Sequence, residues 1–148
     1  LTKRPRRMLE YFTTKNNWGV LPNVWLGVSV DNQQTADERI PLLLQTPAAV
    51  RFVSCEPLLG DVDISPYLWA KDSRDYGYDQ DGLDWLICGA ESGPGARPMH
   101  PQWARHVRDQ CTAAGIPFFL KHMMVNGKLV KLPELDGQVW AQFPEARP

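Results

Sequence analysis

Four apolar, β-branched runs in this chain each end at a polar residue, and this pattern limits the fold more than any other feature. The polar residues are Asp31, Glu56, Glu91 and Lys121. In a parallel sheet the carboxyl ends of the strands share one edge, so we expect these four side chains to gather on a single face. Such a face is the usual binding site of an α/β protein.

The strand-like runs alternate with segments of helical periodicity, which favours βα units and a mostly parallel sheet with flanking helices. The runs are almost continuously apolar, as in strands that are covered on both faces. Pro5 and Pro101 suit a first helical turn, and Gly115 suits a helix end. The predicted strands span 23–30, 50–55, 84–90 and 116–121, and the predicted helices span 5–16, 33–45 and 101–114.

The spacing of the strand ends is that of a (βα) barrel, but the number of units falls short of a complete one. We therefore predict a partial (βα) barrel over residues 1–122, which begins with the last residues of a strand at 1–4. Residues 123–148 are predicted to form a β-hairpin or an irregular tail, with turns at Gly127 and at 136–137. Open strand edges favour self-association as a homodimer, or cover by the tail.

Composition narrows the classes of function. A net charge of −1 over 148 residues gives the whole chain no general affinity for nucleic acid. No run approaches the roughly 18 apolar residues of a membrane span, so we expect a cytoplasmic protein. The three cysteines, Cys55, Cys88 and Cys111, form neither a disulfide framework nor a zinc pattern, and no metal site is predicted in this chain. The acidic stretch over 61–83 is predicted to be a long loop of unassigned role.

Glu56 and Glu91 are the first candidates for catalysis, together with Lys121. Neighbouring strands lie about 4.8 Å apart, so two carboxylates at their ends could act as general acid and general base. A hydrolase is therefore one alternative function. Lys3 and Arg4 are expected on the same rim as Lys121, where all three could instead only neutralise the carboxylates.

The segment from Gly93 to Arg97 leads from a strand end towards a helix. Backbone N–H groups in such a loop, together with the guanidinium of Arg97, suit a phosphate, a sulfate or a carboxylate. A phosphate- or nucleotide-binding module is therefore a second alternative. Gly93 and Gly95 would equally suit a turn that only requires residues of positive φ, and both interpretations stay open.

Asp31 and Asn32 stand between a predicted strand and a predicted helix. Both residue types are preferred helix N-caps, so we expect one of them to cap the helix and the other to face the site. His122 lies at a predicted strand end and is the one histidine expected at the site. Cys55 should point away from Glu56 and remain a buried, inert thiol.

The run from Lys3 to Arg7 carries four basic residues. It could bind the phosphates of a ligand, or it could balance the carboxylates of the rim. Nucleic acid is the less favoured partner, because no aromatic residues are interleaved with this run.

Long blocks of recognisable sequence run through about residues 1–122. They are LTKRPRRM, NVWLGVSVDNQ, ADERIPLLLQTPAAVRFVSCEPLLG, LDWLICGAESGPGARPMHPQWARHVRDQC and PFFLKH. Together these blocks resemble a phage and prophage protein family of unknown function that is named after gene products thirty-seven and sixty-eight.

This resemblance implies a relation to the radical S-adenosylmethionine barrels, whose front part holds an iron–sulfur centre with a cysteine cluster. No C-x3-C-x2-C pattern occurs here. The resemblance thus implies the carboxyl-terminal portion of a barrel, inactive alone, whereas the full-length protein would bind S-adenosylmethionine and an iron–sulfur cluster. The step over 89–91 resembles the Gly-Gly-Glu step that contacts the methionine amino group. The residues implied at the cofactor-facing rim are Lys3, Arg4, Asn32, Glu56, Glu91, Ser92 and Lys121.

Overall fold

Five strands form the main sheet of the computed structural model, which describes residues 1–15, 19–68 and 82–145. They are β1 (Trp25–Ser29), β2 (Val50–Cys55), β3 (Trp85–Gly89), β4 (Phe118–Val125) and β5 (Lys128–Lys131). The strands lie side by side in chain order, with β1 to β4 parallel and β5 antiparallel to β4. The mixed α/β class with a mostly parallel sheet is therefore confirmed.

The strand order distinguishes two kinds of parallel sheet. A doubly wound sheet reverses its strand order, whereas a (βα) barrel keeps the order of the chain, as β1 to β4 do. The segment around Thr2 extends this order, because Thr2 forms a parallel bridge with Val28 of β1. Thr2 N donates to Gly27 O at 3.0 Å, and Ser29 N donates to Thr2 O at 3.1 Å. The partial (βα) barrel itself remains a prediction.

The sequence correctly predicts where the second helix begins and where the third helix ends. The helices of the described residues are α1 (Pro5–Glu10), α2 (Gln33–Leu44) and α3 (Pro101–Ala114). Asn32 caps α2, since its side chain accepts a hydrogen bond from Thr35 N at 3.0 Å. Gly115 ends α3 with a φ of 66°, which a glycine adopts without strain. In residues 1–15, 19–68 and 82–145, no helix has both the length and the apolar content needed to cross a membrane.

The predicted helix over 5–16 is only partly correct. The α-helical geometry ends at Glu10, and the chain continues as a π-helical turn over Tyr11–Lys15. Thr13 Oγ1 donates to Leu9 O at 2.7 Å, and the hydroxyl of Thr14 donates to Glu10 O. Threonine hydroxyls that bond back to carbonyls four residues earlier compete with the regular backbone pattern, which explains the change of geometry.

The predicted strand over 116–121 is wrong at both ends, because β4 begins at Phe118 and continues to Val125. Its second half is held by an antiparallel hairpin with β5, which turns at Asn126 and Gly127. Lys121 therefore lies inside a strand and not after it, and β4 crosses the expected boundary between residues 122 and 123. Of the loop predicted over 61–83, residues 69–81 lie outside the described residues.

The carboxyl-terminal tail pairs with the free edge of β4. It contains a short hairpin of β6 (Glu134–Leu135) and β7 (Gln138–Val139), which turns at the predicted position 136–137. Leu120 N then donates to Trp140 O at 2.8 Å, and Gln142 N donates to Phe118 O at 3.1 Å. The tail thus covers the first half of β4. Cover by the tail was one of the two outcomes expected for the open edges of the sheet. Self-association remains a prediction.

The two faces of the sheet differ in what covers them. On one face, Val28 and Leu86 pack in a single apolar cluster with Ile40 of α2 and Val107 of α3, and all four are fully buried. Successive strand residues point to opposite faces, so Trp85 lies on the other face, where its ring is 4.9 Å from that of Phe143 in the tail. Trp85 begins β3, so this aromatic layer lies at the amino end and leaves the carboxyl end to polar side chains.

Candidate functional site

A cleft of about 370 Å³ opens at the carboxyl ends of β2 and β3 and beside β4. We call it the rim cleft. Its lining residues are Leu1, Ser54, Glu56, Pro57, Ala90, Glu91, Ser92 and Lys121. The three predicted catalytic candidates, Glu56, Glu91 and Lys121, therefore line one cleft. Their chemical role stays a prediction.

Glu56 is bound by two consecutive residues of β4. Lys121 Nζ donates to Glu56 Oε1 at 2.8 Å and to Oε2 at 3.1 Å. His122 Nε2 lies 2.9 Å from the same Oε1, and it carries the hydrogen because a carboxylate only accepts. The side chain of Lys121 is 51% exposed, whereas that of His122 is 7% exposed. Glu56 thus has one partner in solvent and one in the interior.

A bulge in the sheet explains how both residues reach the same carboxylate. Cys88 pairs with Leu120, whereas Gly89 pairs with His122, so Lys121 is an extra residue in β4. In a regular strand Lys121 and His122 would point to opposite faces, and the bulge removes that alternation. The contact between Glu56 and His122 was not predicted, because a bulge leaves no mark in the pattern of apolar residues.

Gly89 provides the space that this contact needs. A β carbon on Gly89 would lie 3.2 Å from His122 Cε1 and 3.3 Å from Glu56 Cγ, whereas ordinary contacts measure 3.4–4 Å. The missing side chain on β3 therefore lets residues from its two neighbouring strands meet in front of it.

The second ring nitrogen of His122 is buried and has no hydrogen-bond partner within the described ranges. Nε2 faces the carboxylate of Glu56, so Nδ1 is the ring nitrogen that is left without a partner. A buried polar atom without a partner is unfavourable. The hydrogen bond to Glu56 is therefore the polar contact that holds this imidazole in place.

Glu91 is bound by Arg97 at the other side of the rim cleft. The backbone N–H of Arg97 donates to Glu91 Oε2 at 2.7 Å, and Arg97 Nε donates to the same oxygen at 2.8 Å. These hydrogen bonds lower the pKa of Glu91 to about 2. Gly93 and Gly95 have φ values of 101° and 74°, which let the loop turn back towards Glu91. The loop thus already holds a carboxylate.

This ion pair bears on both alternative functions. With a pKa of about 2, Glu91 carries no proton at neutral pH and cannot serve as a general acid there. The guanidinium and the N–H of Arg97 face Glu91, so a phosphate at this loop would have to displace that carboxylate.

Replacing Arg97 with alanine should raise the pKa of Glu91 from about 2 towards its ordinary value of 4.5, because the hydrogen bonds of Arg97 are the main cause of the shift. A carboxyl with a lowered pKa stabilises the folded state above its ordinary pKa, and this contribution is lost as the pH falls towards about 2. The measurement is an NMR titration of the Glu91 carboxyl carbon. Arg105→Ala is the control, since Arg105 pairs with Asp136. An unchanged Glu91 pKa in the Arg97 variant would contradict the assignment.

Asp31 and Asn32 lie between β1 and α2 and have different partners. The Asn32 side chain is used in the cap of α2, whereas Lys3 Nζ lies 3.4 Å from Asp31 Oδ2. Neither residue lines the rim cleft, so the expectation that Asp31 faces the site stays a prediction. The pKa of Arg97 is raised chiefly by its hydrogen bond with Glu91, and the charge of Asp31 adds to this effect. The Lys3 side chain is 57% exposed, so we expect its ion pair to contribute little stability.

The three cysteines, Cys55, Cys88 and Cys111, are buried free thiols. Burial raises the pKa of Cys55 to about 12, and it also raises the pKa of the other two. Metals bind the thiolate form, which such burial disfavours. Within the described residues, no group of three His, Cys, Asp or Glu side chains could hold a metal ion. These residues therefore do not fit an iron–sulfur cluster.

The cysteines should not react with iodoacetamide in the folded protein, since neither access nor thiolate is available. In a urea series, alkylation of all three should follow unfolding, as read by mass spectrometry and circular dichroism. Rapid alkylation of Cys55 in the absence of urea would show that this thiol is accessible in the folded protein, which would contradict its burial.

Taken together, the fold and the cleft define an α/β protein with a polar binding cleft at the carboxyl edge of a mainly parallel sheet. The chain belongs to a protein family of unknown function, DUF5131, whose family model matches residues 1–144. A family of unknown function was expected, and that expectation is confirmed. Searches of the curated proteins and of the solved structures found no match.

Proposed function

We propose that this chain is the carboxyl-terminal portion of a phage-derived, radical S-adenosylmethionine-like (βα) barrel, and that it is inactive alone. One observation carries the proposal: β1 to β4 lie parallel and in chain order, with a polar cleft at their carboxyl ends. Active sites of (βα) barrels lie at this end of the strands. The rim cleft would be the contribution of this chain to such a site.

The two edges of the sheet support the same proposal. At one edge, β5 and the tail pair with β4, so they occupy the position that a further parallel strand would take. At the other edge, Thr2 pairs in parallel with Val28. The sheet would therefore grow on the side of β1, towards the amino-terminal portion of a larger barrel.

The proposed cofactors of the complete barrel are S-adenosylmethionine and an iron–sulfur cluster. The described residues of this chain do not fit the cluster, so the proposal assigns its cysteine ligands to the front portion. Glu91, which by resemblance would contact the methionine amino group, is bound by Arg97. A ligand amino group would have to share this carboxylate with the guanidinium.

The residues of the rim cleft would bind and orient a polar ligand. Glu56 offers a carboxylate that Lys121 and His122 already fix in position, and Lys121 offers a half-exposed ammonium group. Ser92 adds an exposed hydroxyl beside Glu91. Groups that are fixed before binding need not be ordered by the ligand, which favours affinity.

The test compares the complete gene product with this chain after anaerobic reconstitution with iron and sulfide. We expect the visible absorption of an iron–sulfur cluster, and cleavage of S-adenosylmethionine, in the complete product alone. In that product Glu56→Gln should keep the cluster but weaken binding of S-adenosylmethionine, whereas Glu134→Gln, an exposed glutamate outside the cleft, should change neither. A cluster in this chain, or none in the complete product, would refute the proposal.

The two alternatives have less support from the geometry. A hydrolase based on Glu56 and Glu91 would need a proton donor other than Glu91. A phosphate-binding module based on the loop from Gly93 to Arg97 would need phosphate to displace Glu91. Stabilisation by inorganic phosphate that Arg97→Ala abolishes would favour this second alternative over the barrel proposal.

A further inference from the structure

A second cleft, of about 350 Å³, lies beside α1 and outside the rim cleft. We call it the α1 cleft. Its lining residues are Leu1, Thr2, Arg4, Arg7, Met8, Tyr11, Phe12 and Leu26. Arg4, expected at the rim, therefore lies in the wall of this other cleft. Guanidinium groups and aromatic rings thus share one concave surface.

The charges of the α1 cleft are not balanced by the protein. Arg4, Arg6 and Arg7 are exposed, and their side chains make no ion pair or hydrogen bond within the described residues. The acidic residue nearest in sequence is Glu10. The positive charge is thus local, because the whole chain has a net charge of −1. An anionic ligand would relieve the repulsion among these arginines.

The aromatic rings come from the turn that follows the arginines. Tyr11 lies four residues after Arg7, so the helical geometry places the two side chains on the same face. The Tyr11 residue is 46% exposed, and its ring meets that of Phe12 edge to face at 5.3 Å. Phe12 is partly buried against the core, so Tyr11 rests on a fixed neighbour. The sequence run from Lys3 to Arg7 lacks aromatics, but the folded cleft does not.

We propose that the α1 cleft binds a nucleotide unit, with its phosphate on Arg4 and Arg7 and its base against the ring of Tyr11. Sites for single-stranded nucleic acid combine basic side chains for the backbone with aromatic rings on which bases stack. The volume of about 350 Å³ is within the range of small-ligand sites, and the proposed ligand is one nucleotide, free or as part of a strand. Recognition of this kind does not depend on base sequence.

The test uses fluorescence anisotropy of this chain with a short labelled oligothymidylate and, separately, with a labelled mononucleotide. The double variant Arg4→Ala and Arg7→Ala should weaken oligonucleotide binding about tenfold or more and should reduce the salt slope by about 0.7, the effect of one phosphate contact on a single strand. Tyr11→Ala should weaken binding about tenfold, and Tyr11→Phe should retain it. Circular dichroism verifies that each variant is folded.

Arg6→Ala is the matched control, because it removes the same charge from the same helix but from a residue that does not line the cleft. We expect it to change the logarithm of the affinity by less than half as much as the single variant Arg7→Ala does. Binding of the mononucleotide as tightly as the strand would identify a free nucleotide as the ligand, and tighter binding of the strand would identify nucleic acid. Absence of saturable binding to both probes would overturn the proposal, and so would a loss of affinity in Arg6→Ala equal to that in Arg7→Ala.

Discussion

Replacing Glu56 with alanine is expected to lower the free energy of unfolding by about 2 kcal/mol, because it leaves a buried imidazole without a partner. His122 is 5% exposed, and its Nδ1 already has no hydrogen-bond partner among the described residues. Removing the carboxylate would leave Nε2–H unpaired as well. The ion pair with Lys121 adds little to this figure, since that side chain is half-exposed. Urea unfolding followed by circular dichroism measures the change.

Two variants separate the role of the hydrogen bond from the role of charge. Glu56→Gln keeps an oxygen that can accept from His122 Nε2, so it should recover more than half of the lost stability. Glu91→Ala removes a carboxylate whose partner, Arg97, is well exposed, so we expect a clearly smaller loss of stability than in Glu56→Ala. Equal destabilisation by Glu56→Ala and Glu91→Ala would contradict a specific role for the buried imidazole.

The elements that the sequence predicted well are those whose signals are local. The strand over 50–55 and the helix over 101–114 have the predicted bounds, because apolar runs, a first-turn proline and a terminal glycine act over a few residues. Parallel pairing then followed from the alternation of these elements. Convergence of Glu56 and Glu91 on one cleft is a consequence of that topology.

The contacts that were not predicted depend on pairs of residues far apart in sequence. The bulge at Lys121 arises from pairing between β3 and β4, which no property of β4 alone encodes. β4 also extends to Val125 because β5 pairs with it, and a strand held by a hairpin need not be an uninterrupted apolar run. Tertiary pairing here overrides the local pattern.

The loop from Gly93 to Arg97 shows a different limit of sequence reasoning. Its glycines and arginine suggested a place where an anion could bind, and in the structure the donors of Arg97 bind the chain's own Glu91. Sequence alone leaves open whether such a loop receives a ligand or a neighbouring side chain, because the same N–H and guanidinium donors suit either.

Replacing Gly89 with valine should lower the free energy of unfolding by about 3 kcal/mol, the largest change expected at this site. Overpacking typically costs about 1–3 kcal/mol, and separation of Glu56 from His122 would add the loss of a buried hydrogen bond. A β carbon here would already lie 3.2 Å from the imidazole and 3.3 Å from the carboxylate side chain, and valine adds two methyl groups. Since Gly89 has no positive φ, the expected effect is one of contact and not of backbone strain.

Gly60→Val is the matched control for this substitution. Gly60 likewise has no positive φ, and a β carbon there would meet nothing within 4 Å, so we expect little change in stability. Combining Gly89→Val with Glu56→Ala tests the mechanism. If the valine acts by separating Glu56 from His122, the double variant should lose clearly less than the sum of the two single losses, as residues that share a contact do. Strict additivity, or equal effects of valine at positions 60 and 89, would show that Gly89 does not create the space for this contact.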